Sequence, residues 1–183
     1  MSAAILPSAE EYGNSWHRRT GAAARCTVDR FTHFATPRMP TDEEHLRKLE
    51  RMYHDAPINR LYQPVIRVND GTAEIDVPVK PEFFHAAHAL HGSAYFKALD
   101  DAAFFAVSSL VTDVFVLTAS FTIYLTRPVS EGPLRAVGRV VHRSRNLFLA
   151  EAELHDGRQR QVARGSGSFM RSTIALSAEV GYA

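Results

Sequence analysis

Residues 85–101, "HAAHALHGSAYFKALDD", concentrate side chains that can do chemistry. Three histidines, at 85, 88 and 91, precede two adjacent aspartates, Asp100 and Asp101. Imidazole and carboxylate groups are ligands that zinc accepts, and they are also common groups of general acid–base catalysis. The same stretch could instead be an ordinary helix preceded by unrelated histidines. The spacing of the residues helps to separate these possibilities.

The histidine spacing argues against a metal site. Histidines three residues apart would cover an arc of about 120° on a helix with about 3.6 residues per turn. The usual helical zinc pair is separated by four residues, as in H-E-x-x-H, and that pair is absent from the stretch. Gly92 follows the last histidine directly and would end or cap a helix there. We therefore predict no metal site and no cofactor.

The two aspartates differ in what surrounds them. On a helix, Lys97 lies within reach of either carboxylate, so one ordinary ion pair accounts for one of them, and Asp101 has the favourable spacing of four residues. Asp100 has Phe96, Ala103 and Val107 at helical spacing, which puts it at the border of an apolar face. A carboxylate in such a position is costly unless it has a partner, and it is a candidate for acid–base catalysis.

The flanking sequence predicts the elements that position this stretch. Residues 92–110 are apolar over a wide helical face, which is typical of a buried helix. Thr41 and Glu44 fit a capping box for an earlier helix that stops at Pro57. Asp70-Gly71 predicts a tight hairpin turn between two strands. Four alternating segments after the long helix predict strands at 117–126, 134–142, 147–155 and 160–170.

This order of elements predicts one α+β domain. A helix, two strands, one long helix and four strands favour an antiparallel sheet packed over the long helix. Residues 1–40 show no sustained periodicity, so we interpret 1–40 as an N-terminal extension. Residues 41–183 then form the domain together with the short helix that precedes it.

The composition narrows the function classes. A net charge of +1 and the lack of a long basic run give no reason to expect nucleic acid as a partner. The single cysteine, Cys26, excludes an internal disulfide and suits a reducing compartment. There is no signal-peptide pattern and no apolar run of about 18 residues, so we expect a cytoplasmic protein that does not cross a membrane.

The segment "LHGSAYFKALDDAAFF" resembles the H-G-G-x6-D-x-A signature of the hotdog-fold acyl-CoA thioesterases, in the branch that includes the phenylacetic-acid-pathway enzymes. The resemblance extends over about residues 60–171, with "TRP" ending the first strand after the helix and "VARGSGSF" in the last strand. It implies a hotdog fold, in which the sheet wraps around one long central helix. It also implies that Asp100 is the catalytic carboxylate, acting as a general base or as a nucleophile.

The resemblance implies roles for further residues. His85 stands where many relatives carry an asparagine that holds the attacking water or the thioester. Thr118 matches a serine or threonine that orients the catalytic water. Ser93 replaces the second glycine of the signature, where it could narrow the site or supply a hydroxyl to the substrate. His91 is expected to hydrogen-bond the backbone and shape the loop before the helix.

Elementary chemistry agrees with a thioesterase that has no nucleophilic serine. A thiol leaving group, with a pKa of about 8.5, departs without much proton donation. One carboxylate and an oxyanion site can therefore suffice, and the free N–H groups at a helix N-terminus, here at Gly92, can supply the oxyanion site. "GSGSF" at 165–169 lies in a predicted strand, so it is not interpreted as a nucleophile elbow.

One distance predicts the assembly. Asp100 lies eight residues after Gly92, which is about 12 Å along a helix at about 1.5 Å per residue. Both groups cannot act on one carbonyl from the same helix. Two antiparallel helices across a twofold axis would bring Gly92 of one subunit to Asp100 of the other. We therefore expect a homodimer or homotetramer with shared sites, as in the family it resembles.

Several alternatives remain open at this stage. Arg143 and Arg145 form a basic turn that could dock the phosphates of coenzyme A, or could be a solvated hairpin. The aromatic residues Tyr95, Phe104 and Phe105 could line an acyl pocket or be ordinary core. The protein could also bind acyl-CoA without hydrolysing it. It could, finally, be a cone-fold isomerase or dehydratase, although such folds place their helices first.

Overall fold

The computed structural model describes residues 42–183, so the predicted extension at 1–40 and Thr41 lie outside the described residues. The observed order confirms the α+β prediction, with one additional short helix and two 3-10 turns. The helices are α1 Glu43–Asp55, α2 Asn59–Tyr62 and α3 Gly92–Ser108. The 3-10 turns are Pro81–Phe83 and Ala178–Val180. The strands are β1 Val65–Asn69, β2 Thr72–Pro78, β3 Val114–Leu125, β4 Pro133–Arg143, β5 Leu147–His155 and β6 Gln161–Ala175.

The first helix starts with a different cap from the one predicted. Asp42, not Thr41, is the capping residue, and its Oδ1 accepts a hydrogen bond from the Glu44 N–H at 3.1 Å. A short carboxylate at this position satisfies a free N–H and also favours the positive end of the helix dipole. The helix then buries Leu49, Met52 and Tyr53 on the side that faces the sheet and α3.

The six strands form one antiparallel sheet in the order β1-β2-β4-β5-β6-β3. The β1–β2 hairpin closes at the predicted Asp70-Gly71 turn, and Gly71 has a φ of 73°, which a glycine adopts at low cost. The strand that follows α3 in sequence, β3, lies at the edge of the sheet beside β6. This arrangement leaves β1 and β3 as the two outer strands.

The long helix α3 lies against the inner face of the sheet, as predicted. Its small residues allow this close approach: Ala98, Ala102, Ala103 and Ala106 are at most 1% exposed. At the crossing with β4, a Cβ built on Gly138 would lie 2.2 Å from the Ala102 carbonyl oxygen. A larger residue at either position would push the helix off the sheet, because packed interiors do not absorb extra volume.

The predicted alternation of β3 is wrong at one point. A bulge interrupts the pairing with β6 between Thr118 and Ser120, so that one extra residue shifts the phase of the side chains. As a result Thr118 and Phe121, which strict alternation puts on opposite faces, both reach α3. The Thr118 hydroxyl contacts Asp100, and the Phe121 ring lies 5.8 Å from the ring of Phe96.

Within residues 42–183, no helix combines the length and the apolar character that a membrane crossing requires.

Candidate active site

A cavity of about 700 Å³ opens between α1, the middle of α3, β3 and the last residues of the chain. Its polar lining residues include Asn59, Lys97, Asp100, Asp101 and Thr118. The remainder is largely apolar, with Met52, Phe104, Phe105, Phe115, Ile174 and Val180. A mostly apolar cavity with a few convergent polar groups is the usual form of a small-molecule site.

Asp100 and Thr118 meet at the edge of this cavity. The Thr118 hydroxyl lies 3.1 Å from Asp100 Oδ1 and 3.4 Å from Oδ2, and it donates to the carboxylate. Burial raises the pKa of Asp100 to about 6, the Thr118 hydrogen bond and Lys97 lower it, and the neighbouring Asp101 raises it. A half-buried carboxylate whose pKa lies close to neutrality can accept a proton from water or attack a carbonyl.

Asp101, the neighbour of Asp100, has its own ion-pair and hydrogen-bond partners. Lys97 forms the predicted ion pair with Asp101 Oδ2, and the Tyr53 hydroxyl donates to the same oxygen at 2.8 Å. The Lys97 ammonium also lies 5.3 Å and 5.4 Å from the ring centroids of Tyr53 and Tyr62. Burial raises the pKa of Asp101, whereas Lys97 and Tyr53 lower it. This carboxylate is therefore held by fixed partners rather than solvated.

The other end of α3 presents backbone groups. His91 is its capping residue: His91 Nδ1 accepts from the Ser93 N–H at 3.1 Å and lies 2.8 Å from the Ser93 hydroxyl oxygen. His91 therefore bonds the backbone, as expected, and within this chain the Ser93 hydroxyl is engaged with it. Among residues 42–183, the Gly92 N–H has no hydrogen-bond partner. A free N–H at a helix N-terminus suits developing negative charge.

His85 lies near Gly92 and away from Asp100. Its side chain is exposed, and its Nδ1 accepts from the Ala87 N–H at 3.1 Å. Together with Gly92, Tyr95 and Leu125 it lines a shallow cleft of about 260 Å³. The sequence-predicted catalytic residues thus fall into two pairs in one chain, Asp100 with Thr118 and His85 with Gly92. The two pairs line different cavities.

The histidines of the opening stretch do not form a set. His85 bonds its own loop, His91 caps α3, and His88 adopts a left-handed conformation with a φ of 59°. In the part of the chain that the structure describes, no group of three histidine, cysteine, aspartate or glutamate side chains is placed to hold a metal ion.

The basic turn between β4 and β5 forms a third, polar cleft. Arg143, Arg145 and Asn146 line it together with Arg171 of β6, around a space of about 640 Å³. Arg171 also forms an ion pair with Asp113. The two arginines of the turn were predicted from the sequence. Arg171 was not, because only the pairing of β5 with β6 brings this residue beside the turn.

Most of the wall of the cavity that contains Asp100 was not predicted from the sequence. Of the predicted aromatic residues, Phe104 and Phe105 line this cavity, whereas Tyr95 donates to the Arg127 carbonyl at 3.1 Å in the other cleft. Tyr53 and Asn59 come from the helices before the sheet, and Val180 comes from the end of the chain. The only available sequence signal was the helical spacing of Met52 and Tyr53, which marks them as buried but not as cavity residues.

Comparisons with known proteins give the same architecture. Residues 87–163 match the family model described as the thioesterase superfamily. A candidate esterase of Saccharolobus solfataricus is 24% identical over 129 residues, which are 69% of this chain and 92% of that protein. The structure of the E. coli PaaI protein, from the phenylacetic acid degradation operon, matches with a TM-score of 0.69 at 20% identity, over 75% of this chain and 99% of its own.

A conserved protein of Pseudomonas aeruginosa matches with a TM-score of 0.63 at 29% identity, over 67% of this chain and 98% of its own. The chain therefore has the hotdog fold, and its resemblance to hotdog thioesterases is confirmed. The cone-fold alternative is excluded as a fold. The likenesses support hydrolysis of an ester or a thioester as the general class of activity.

Proposed function

We propose that this hotdog protein hydrolyses an acyl-CoA thioester to a free acid and coenzyme A, at sites shared between two subunits. The observation that carries the proposal is Asp100, a half-buried carboxylate that accepts a hydrogen bond from Thr118 at the edge of a large apolar cavity. The cavity would take the acyl group, and the thioester carbonyl would lie beside the carboxylate.

Two reaction courses fit this geometry. With Asp100 as general base, the carboxylate removes a proton from water, the water oxygen bonds to the carbonyl carbon, and the tetrahedral intermediate expels the thiolate of coenzyme A. With Asp100 as nucleophile, the carboxylate oxygen bonds to the carbonyl carbon and the thiolate leaves, and water then hydrolyses the resulting anhydride. Both courses need Asp100 ionised, which its pKa of about 6 allows at neutral pH.

The oxyanion would be stabilised from the second subunit. The Gly92 N–H and the N-terminus of α3 provide a suitable donor, but in one chain they line a different cavity from Asp100. The edge strand β3 and α3 carry large exposed apolar side chains beside both cavities, among them Phe96, Leu117 and Leu125 at 41–50% exposure. Such an edge favours pairing with a second copy, which supports a dimer or a dimer of dimers.

The remaining predicted residues take supporting roles in this proposal. His85 would approach the thioester from the same subunit as Gly92, since both line one cleft. Arg143 and Arg145 would pair with the phosphates of coenzyme A, for which guanidinium groups have matching geometry. Ser93, with its hydroxyl on His91, would hold the capping histidine and the start of α3 in place rather than contact the acyl group.

The test is turnover of a panel of acyl-CoA thioesters by the native protein and by Asp100→Asn. We expect the variant to lose about 10²–10⁴-fold in kcat, the usual contribution of a positioned base. Asp76→Asn, which breaks an exposed ion pair with Arg135 between strands β2 and β4, is the matched control and should keep native activity. Equal turnover by Asp100→Asn and the native protein would refute the proposal.

A protein that only binds acyl-CoA is the second candidate, because the same cavity could hold an acyl group without reaction. Calorimetry, carried out together with the turnover assay, distinguishes binding alone from hydrolysis. Tight binding of acyl-CoA by the native protein without release of free thiol would favour binding over hydrolysis.

A further inference from the structure

The last residues of the chain form part of the cavity wall. After β6 the chain turns back across α1, and residues 176–183 are called here the C-terminal segment. Glu179, Val180 and Gly181 of this segment line the same cavity as Asp100. Val180 and Tyr182 are half-buried and pack against the hydrophobic core. The segment is therefore a packed wall rather than a loose end.

Side chains of α1 hold the C-terminal segment in place. The Tyr182 hydroxyl lies 2.7 Å from His45 Nδ1, and His45 Nε2 lies 3.0 Å from the Ser108 carbonyl oxygen. Because a carbonyl only accepts, His45 carries its proton on Nε2 and accepts from Tyr182. Burial lowers the pKa of His45, which favours this neutral form. Arg51 adds a hydrogen bond from Nε to the Ala183 carbonyl at 2.7 Å.

The position of this wall relative to Asp100 limits what can fill the cavity. In the proposed function, a thioester carbonyl beside Asp100 would place its acyl group in the apolar part of the cavity, whose lining includes Phe115 and Val180. The C-terminal segment and α1 both lie outside residues 87–163, the range matched by the thioesterase model. Part of the cavity wall is therefore built by segments of this chain that the matched range does not contain, whereas α3 and β3 supply the rest.

We propose that the C-terminal segment, through Val180, determines which acyl groups the cavity accepts. The inference rests on the proposed function for the direction of the acyl group. A side chain that only limits length should discriminate between long and short acyl groups and should leave the chemistry at Asp100 unchanged. Differences of one methylene group in an apolar pocket are worth about tenfold or more in kcat/KM, so the effect is measurable.

The experiment compares Val180→Trp, which fills the cavity, with Val180→Ala, which enlarges it. Turnover is measured in the full chain with saturated acyl-CoA substrates from acetyl to decanoyl. We expect Val180→Trp to lower kcat/KM for the octanoyl and decanoyl substrates about tenfold or more relative to acetyl. Val180→Ala should move the preference toward longer chains. The same chain-length profile in both variants and the native protein would overturn the proposal.

Ala178 offers a matched control within the same turn. It is exposed and does not line the cavity, so Ala178→Trp adds the same ring to the outer side of the C-terminal segment. Its chain-length profile should equal that of the native protein. A shift as large as that of Val180→Trp would show that bulk anywhere in the segment has the effect, and would also overturn the role of Val180.

Binding of free octanoate, measured by calorimetry, separates this inference from the proposed function because it needs no turnover. If the native protein binds octanoate and Val180→Trp does not, the proposed role of Val180 is supported even if no acyl-CoA is hydrolysed. The opposite result is that Val180→Trp hydrolyses acyl-CoA with the native chain-length profile and binds octanoate as the native protein does. That result would overturn the role of Val180 and leave the thioesterase proposal intact. Failure of octanoate to bind the native protein would also contradict the proposed role of Val180.

Discussion

The N-terminal end and the middle of α3 differ in the chemical groups that they offer. The N-terminal end, at half-buried Gly92 between exposed His91 and Ser93, offers a backbone N–H and the positive end of the helix dipole. The middle is half-buried, and it offers a carboxylate at Asp100 whose pKa is raised to about 6. One region suits developing negative charge and the other suits proton removal. Since about 12 Å of helix separates them, each would supply half of a hydrolytic site in our proposal.

This difference explains why a second copy is needed in our proposal. A base works best when it is partly desolvated, whereas an oxyanion donor needs free N–H groups that point at the substrate. A single helix cannot place its own N-terminus beside its own middle. An antiparallel pair of helices can do so twice, and each site then takes its donor from one subunit and its base from the other.

The largest effect expected from the N-terminal region comes from Gly92→Pro, which deletes the free N–H. Proline is well tolerated at the first helical position, and His91 already has the extended ψ of 145° that a residue before proline prefers. The helix should therefore persist while kcat falls about 10²–10³-fold, the usual loss for one oxyanion donor. Steady-state kinetics with an acyl-CoA substrate check this expectation.

Gly92→Ala is the control, because it keeps the N–H. Its Cβ would lie 3.3 Å from Leu125 Cδ1, the far end of a flexible side chain, so only a small adjustment is needed. It should retain most of the activity. If Gly92→Pro folds normally and stays within threefold of Gly92→Ala, the N-terminal region is not the oxyanion site.

The next largest effect is expected from Thr118, the hydrogen-bond partner of Asp100. Thr118→Val removes the hydrogen bond that lowers the pKa of Asp100, so this pKa should rise further above its present value of about 6. The reaction needs the ionised carboxylate, and the loss of activity should therefore be greatest near pH 6 and should diminish as the pH rises. We expect a fall of about tenfold at pH 6, since a hydrogen bond to a charged group is worth about 1.5–3 kcal/mol.

The pH dependence of kcat/KM measures this shift, and Thr118→Ser is the control that keeps a hydroxyl. The ionisation midpoint of the acid side of the profile should be higher in Thr118→Val than in Thr118→Ser. A pH profile identical in both variants would mean that Thr118 does not act on the ionisation of Asp100.

The smallest effect concerns neither region of α3 but the polar cleft at the β4–β5 turn. Replacing both Arg143 and Arg145 by glutamine should raise KM for acyl-CoA about fivefold at low salt and less at high salt, because exposed ion pairs are weak and screened. KM for the matching N-acetylcysteamine thioester, which lacks the phosphates, should not change. Arg67→Gln, which replaces an exposed arginine on the outer strand β1, serves as control. An equal change in KM for both substrates would argue against phosphate docking.

The regular elements could be predicted because burial imposes their periods. The hairpin, α3 and the later strands each repeat apolar residues at the spacing that their packed face requires, and the structure has them where the sequence indicates. The bulge in β3 escaped because one inserted residue changes the phase without changing composition. Asp42 displaced Thr41 as the cap for a similar reason, since several neighbouring polar residues fit the same position.

Contacts between residues that are far apart in the sequence could not be predicted. Tyr53 and Asp101 are 48 residues apart and meet only because α1 packs beside α3. His45 and Tyr182 are 137 residues apart, and neither carries a local pattern that points to the other. The motif between His91 and Asp100 was readable because its spacing is local. The cavity around Asp100 could not be predicted, because residues from both ends of the described chain complete the wall that α3 and β3 begin.

The most direct test of the shared site combines the two regions in one molecule. Asp100→Asn and Gly92→Pro subunits, each inactive alone, are expressed together with different tags, and the heterodimer is purified. One of its two sites then has a native Gly92 from one subunit and a native Asp100 from the other. The account predicts recovery of about half of the native activity per dimer. A heterodimer as inactive as its two parents would contradict it.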